Sequence, residues 1–209
     1  MPIVLRSEKG SVLTGGEVDG NFSELDSRTA VAWANLVAVM ARSGIANPPG
    51  IALYRGVFPV YAFDPDNVEQ CSAIFHLPHD FQQGTDFWPH GHVLTDTASS
   101  GVVRWGFDIS YAQEYDSEDI SAGPPSSTQV FSDPVTIYVE QTIAATHENA
   151  HIIITTDSAF NIPALAADSV ILMRVFRDAT HVNDTYPDDI HLLTVDLYYR
   201  SQGFGTNSL

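Results

Sequence analysis

The chain has 209 residues, which is enough for one large domain or one domain with an appendage, and 44% of them are hydrophobic. Only 17% are charged, and 26 acidic residues against nine basic ones give a net charge of −17. This charge repels phosphate backbones and anionic lipid surfaces, so we expect neither nucleic acid nor a membrane as a partner. Cys71 is the single cysteine, as is typical of chains synthesised in a reducing cytoplasm.

Residues 11–44 predict one helix. Thr14 and Glu17 have the spacing of a capping box, in which each side chain accepts the other residue's backbone amide. Apolar and small residues then follow in alternating steps of four and three, which predicts a self-associating seam: Val18, Phe22, Leu25, Thr29, Ala32, Leu36 and Val39. An amphipathic helix lying on its own domain is the alternative. Because Pro48-Pro49-Gly50 cannot continue a helix, residues 1–47 are predicted as a helical attachment and oligomerisation arm.

Residues 48–209 are predicted as a single β-sandwich domain. Strand patterns recur near 51–63, 68–76, 87–95, 101–112, 129–143, 150–156, 168–177 and 189–200, separated by turn-rich segments. The segment 101–112 alternates most regularly, with apolar side chains on one face from Val103 to Tyr111. No helical pattern separates the strands, so the predicted fold class is mainly β: an antiparallel β-sandwich of jelly-roll type preceded by an N-terminal α-helical arm.

Four histidines, His76, His79, His90 and His92, fall within seventeen residues. His90 and His92 are two residues apart, so on a strand their imidazoles share a face and could hold one metal ion. The alternative is that they pack locally among Phe81, Phe87 and Trp88, or lie at a subunit interface. We expect the structural role, and the sequence therefore predicts no catalytic residue, no cofactor and no metal site.

Other ionisable residues fit structural roles as well. An acidic cluster of Glu114, Asp116, Glu118 and Asp119 is typical of a solvated loop, with weak calcium binding as the alternative. His191, on an apolar strand face, is expected to be a hydrogen-bonded core histidine, whereas His147 and His151 are expected at the surface.

The segment around His90 resembles half of the cupin signature. Gly84 is followed after five residues by His90-Gly91-His92, and Asp96 follows after three more. By that resemblance His90, His92 and Asp96 would ligate the metal of a jelly-roll enzyme. Asp stands in place of the family's Glu, and the second cupin motif is absent downstream. A cupin-like metal-binding enzyme is therefore an alternative reading.

The N-terminal segment resembles one that recurs in tail-fibre and other virion appendage proteins of tailed phages. It carries Leu13-Thr14, Glu17-Val18-Asp19, Asn21-Phe22 and Leu25 at the same spacing. A second stretch is similar to small phage structural proteins of unassigned role; it contains His79-Asp80, Gly84-Thr85-Asp86, Pro89-His90-Gly91-His92 and Val103-Arg104-Trp105-Gly106-Phe107. Together the two resemblances cover about a quarter of the chain.

These resemblances imply a non-enzymatic structural component of a phage particle, either a capsid decoration protein or a tail fibre. The expected location is the virion, and the expected partners are further copies of the chain in a homotrimer and other capsid or tail proteins. A second alternative is a carbohydrate-binding module that recognises a host-surface glycan. The sugar rings of the glycan would stack on aromatic residues such as Trp88, Tyr111 and Tyr115.

Overall fold

The computed structural model describes residues 11–29, 32–42, 46–115, 123–156, 159–162 and 165–202. In chain order the elements are α1 (Gly15–Thr29), β1 (Ala32–Val37), β2 (Val39–Ala41), β3 (Gly50–Tyr54), β4 (Phe58–Phe63), β5 (Glu69–His76), β6 (Asp86–Leu94), β7 (Gly101–Ala112), β8 (Val135–Ile143), β9 (Ile152–Thr155), β10 (Phe160–Asn161), β11 (Val170–Arg177) and β12 (Ile190–Ser201). Within the described part, no helix has the length and apolar character needed to span a membrane.

The strands form two antiparallel sheets, which confirms the predicted β-sandwich of jelly-roll type with a helix before it. Among the described residues, one sheet has seven strands in the order β10-β6-β12-β4-β3, with β1 also paired to β12 and β9 to β6. The other has five strands in the order β2-β5-β11-β7-β8. The two longest strands lie in different sheets, β12 in the seven-stranded sheet and β7 in the five-stranded sheet.

Alternation along the strands builds the core between the sheets. On β7 the predicted inward face is confirmed, because Val103, Trp105, Phe107 and Ile109 are all buried. Phe63 of the seven-stranded sheet meets Trp105 of the five-stranded sheet edge to face, with ring centroids 4.9 Å apart. Burial of such aromatic side chains contributes roughly 1.5–3 kcal/mol each relative to exposure.

The predicted helix over 11–44 is correct at its start and wrong in its second half. Helix α1 ends at Thr29, and residues 32–41 form two strands. Strand β1 pairs with β12 in the seven-stranded sheet, and β2 pairs with β5 in the five-stranded sheet. The seam from Val18 to Val39 is therefore not one helical face. The role of residues 1–47 in attachment stays a prediction.

Candidate ligand-binding face

The residues of interest lie on the outer face of the seven-stranded sheet, meaning the side turned away from the core. On β6, Phe87 and Val93 are buried in the core, so the alternate residues project outward. Directly opposed residues of paired strands share a face, which extends this surface across β1, β12, β6 and β9. Its members include Trp33, Asn35, Val37, Trp88, His90, His92, Ile153, Thr155, Thr194, Asp196, Tyr198 and Arg200.

At one end of the outer face two indoles form a platform. Trp33 is 50% exposed and meets Trp88 edge to face, with ring centroids 4.8 Å apart. The guanidinium of Arg200 lies 4.2 Å from the Trp33 ring centroid, a cation–π contact that holds the indole in place. An open cavity of about 270 Å³ adjoins the pair, and its polar rim includes Asp86 and Thr85. We call Trp33, Trp88 and Arg200 the indole platform.

Next to the platform lies a cluster of two histidines and one carboxylate. Register pairs His90 directly with Asp196, and His92 follows two residues later on the same strand. Asp196 Oδ2 is 3.7 Å from Nε2 of His90 and 3.3 Å from Nε2 of His92. His90 and Asp196 are buried, and only His92 is partly open to solvent. We call these three residues the His–His–Asp cluster.

The other polar atoms of the cluster have partners that fix its orientation. Asn35 Nδ2 donates to Asp196 Oδ2 at 2.6 Å, and Nδ1 of His92 lies 2.6 Å from Nε2 of His151. Nδ1 of His90 lies 3.4 Å from the carbonyl oxygen of Trp88. Burial lowers the pKa of His90, while the hydrogen bond to the Trp88 carbonyl and the charge of Asp196 oppose this effect.

The structure corrects the carboxylate that the cupin resemblance implies. Asp96 lies beyond the end of β6 and is exposed. It follows His92 by four residues, which is about 13 Å along extended chain. Asp196 takes that place instead, because pairing of β12 with β6 sets it opposite His90. Sequence reasoning missed Asp196 and Asn35, since both depend on contacts between strands far apart in the chain.

The remaining candidates lie elsewhere. His76 and His79 lie 3.6 and 3.4 Å from the carboxylate of Asp168, with both imidazoles mostly exposed. His151 is exposed as expected, but its contact with His92 could not be predicted from the sequence. His191 is buried as expected; its Nδ1, however, has no hydrogen-bond partner among the described residues.

Two predicted groups do not join the outer face. Of the acidic cluster, Glu114 is exposed, whereas Asp116, Glu118 and Asp119 lie outside the described residues. Of the aromatic residues proposed for stacking on sugars, only Trp88 is on the outer face; Tyr111 belongs to β7 of the other sheet, and Tyr115 follows that strand.

No family model and no curated protein matches this chain. Among solved structures, it is similar to an Arthrobacter globiformis isomalto-dextranase complexed with panose, at 9% identity and a TM-score of 0.38 over 81% of this chain and 23% of that one. It is also similar to the CBM22-1–GH10 modules of Clostridium thermocellum xylanase 10B complexed with xylohexaose. The identity is 10% and the TM-score 0.35, over 79% of this chain and 25% of that one. The chain thus spans about a quarter of both.

A third similar structure is Caldicellulosiruptor saccharolyticus CBM27-1 in complex with mannohexaose. The identity is 11% and the TM-score 0.35, over 78% of this chain and 96% of that one. All three TM-scores lie below 0.5, so these are distant similarities that say nothing about the ligand of this chain.

Proposed function

We propose that this chain is a non-enzymatic glycan-binding protein and that the indole platform holds the saccharide. The observation that carries the proposal is an indole, Trp33, half exposed on a sheet surface and fixed by Trp88 and Arg200. The C–H face of a pyranose ring is apolar and packs on such an indole. Its hydroxyl groups need donors and acceptors at the rim, which Arg200 and Thr85 can supply.

The charge of the chain favours neutral saccharides. A net charge of −17 raises the free energy of bringing a polyanionic glycan to any part of the surface. The platform carries one cation, Arg200, and its cavity rim also includes the carboxylate of Asp86. We therefore expect neutral hexose or pentose oligosaccharides to bind more tightly than uronic or sialic acid polymers of the same length.

A glycan array followed by calorimetry tests the proposal. Trp33→Ala should weaken binding of the array's best neutral oligosaccharide about thirtyfold, because a central aromatic contact contributes roughly 2 kcal/mol. Trp33 is half exposed, so its replacement leaves the core intact. Chromatography of the sugar after incubation should recover it unchanged, as expected of a protein that binds without cleaving.

Phe58→Ala is the matched control. Phe58 is 60% exposed on β4 of the same sheet and does not line the platform cavity. Its replacement should leave the affinity unchanged. Equal weakening by both substitutions, or absence of any bound neutral glycan, would contradict the proposal.

The N-terminal segment supports a second proposal, that the chain is a component of a tailed-phage virion. The phage-like segment begins a capped helix: Thr14 N donates to Glu17 Oε2 at 2.7 Å, and Glu17 N donates to Thr14 Oγ1 at 3.3 Å. Val18 and Phe22 on the helix are exposed, Phe22 to 67%, and so is Val12 just before the helix. A helix with exposed apolar side chains suits attachment to another protein surface. The predicted homotrimer belongs to this proposal.

Truncation tests the attachment role. Removal of residues 1–29 takes away α1 but keeps β1 and β2, which pair with both sheets. The shortened chain should keep the cooperative unfolding of the full chain and should be missing from purified particles by mass spectrometry. Incorporation equal to that of the full chain would reject the attachment role.

A further inference from the structure

We propose that His90, His92 and Asp196 bind one divalent first-row transition-metal ion, with zinc as the test case. This proposal is separate from glycan binding, because the indole platform and the cluster share no residue. Two buried imidazole nitrogens carry it. Among the described residues, neither His90 Nε2 nor His92 Nε2 has a hydrogen-bond partner. A buried polar atom without a partner destabilises the fold, and here two such atoms lie beside one carboxylate oxygen.

The spacing of the three ligand atoms fits a metal centre. One ring nitrogen of each histidine and one carboxylate oxygen of Asp196 lie within 4.8 Å of one another. Bonds of about 2.1 Å place two ligands of a tetrahedral ion about 3.4 Å apart. The two nitrogen–oxygen distances, 3.7 and 3.3 Å, lie on either side of that value.

The partners of the other ring nitrogens leave the two Nε2 lone pairs available. A carbonyl oxygen only accepts hydrogen bonds, so Nδ1 of His90 is the donor to Trp88, and in the neutral tautomer with this donor Nε2 keeps its lone pair. His92 achieves the same when its Nδ1 donates to His151 Nε2. Metal-binding histidines usually donate their second N–H in this way, and ligating carboxylates are held by donors such as Asn35.

The chemistry of the ligands selects the class of ion. Two imidazoles and one carboxylate suit zinc and its neighbours, whereas calcium and magnesium prefer oxygen ligands alone. Three protein ligands leave at least one coordination position for water or for an oxygen atom of a bound molecule.

Zinc binding to the tag-free chain tests the proposal. After removal of metals with a chelator, equilibrium dialysis at micromolar zinc should give one ion per chain, and cobalt should give the absorption bands of a low-symmetry site. Asp196→Asn and His92→Gln should each abolish stoichiometric binding and the bands. His151→Gln should weaken affinity about 10–100-fold, because it removes a partner of a ligand and not the ligand itself.

His76→Gln with His79→Gln is the matched control, since those imidazoles also lie beside an aspartate, Asp168, but on the exposed surface. This double variant should bind one zinc ion as the native chain does. Circular dichroism establishes that each variant is folded. Zinc should raise the melting temperature of the native chain but not that of the Asp196→Asn or His92→Gln variant. Less than one zinc ion per native chain under these conditions, or full binding by Asp196→Asn, would overturn the proposal.

Discussion

At the residue scale, Arg177 and Asp184 form an ion pair that is closed off from solvent. Arg177 Nη2 lies 2.8 Å from Asp184 Oδ1, and both side chains are almost completely buried. The guanidinium also donates to the carbonyl oxygens of Phe63 and Asp188, at 3.2 and 2.8 Å. These bonds join the end of β11 to the segment that leads into β12, the strand that carries Asp196.

Asp184→Asn should therefore destabilise the fold by about 3–5 kcal/mol, because it leaves the Arg177 charge buried without its counter-charge. Urea unfolding measures the change. Asp108→Asn is the control: Asp108 pairs with Arg174, whose side chain is 44% exposed, and an exposed pair contributes about 0–1 kcal/mol. Equal losses of stability in the two variants would show that burial does not set the strength of the Arg177 pair.

At the element scale, the strands could be predicted from the sequence more fully than the helix. The alternation predicted over 101–112 is confirmed, because the inward side chains of β7 pack in the core. Residues 32–41 carry small and apolar residues at helical spacing, but Trp33 and Asn35 also alternate with Ala34 and Leu36. Pairing of β1 with the long strand β12 decides between the two patterns, and this pairing is invisible to local periodicity.

Strand β7 also contains a glycine whose role depends on its neighbour in the sheet. Gly106 lies opposite Phe176 of β11, and the Phe176 ring occupies the space where a Cβ at position 106 would lie. Arg174 and Tyr138 pack against that ring and limit its movement.

Gly106→Ala should cost about 1–3 kcal/mol in the free energy of unfolding, since the added methyl group displaces a packed ring. Thermal or urea unfolding measures it. Gly50→Ala is the control, because a Cβ there would meet its nearest atom, the Ala62 carbonyl oxygen, at an ordinary 3.6 Å. A stability of Gly106→Ala equal to that of Gly50→Ala would mean that the Phe176 ring can move aside without cost.

At the scale of the whole molecule, the sheet arrangement decides what the functional residues can do. The spacing of His90 and His92 predicts a shared face, and the structure confirms it. Asp196 could not be assigned from the sequence, because it lies 104 positions beyond His92 and meets it only through the β6–β12 ladder. Trp33 could not be assigned to this surface either, because the sequence pattern predicts a helix over residues 11–44.

The same ladder places the indole platform and the His–His–Asp cluster on one surface. Tyr198 lies between them: it is paired with Trp88 in the ladder, and its ring centroid lies 4.0 Å from that of His90. We propose that an oligosaccharide bound on Trp33 extends along β6 towards the cluster. Binding of the saccharide at the indole platform has different consequences for the three tryptophans.

Trp33 and Trp88 form the platform, whereas Trp105 is completely buried in the core, and the chain has no other tryptophan. Nuclear magnetic resonance of the three indole N–H groups during titration with the best neutral oligosaccharide shows whether the saccharide binds at the platform. We predict that the signals of Trp33 and Trp88 shift in proportion to saturation and that the signal of Trp105 stays in place. Saturable binding that leaves the signals of Trp33 and Trp88 unmoved would contradict binding at the platform.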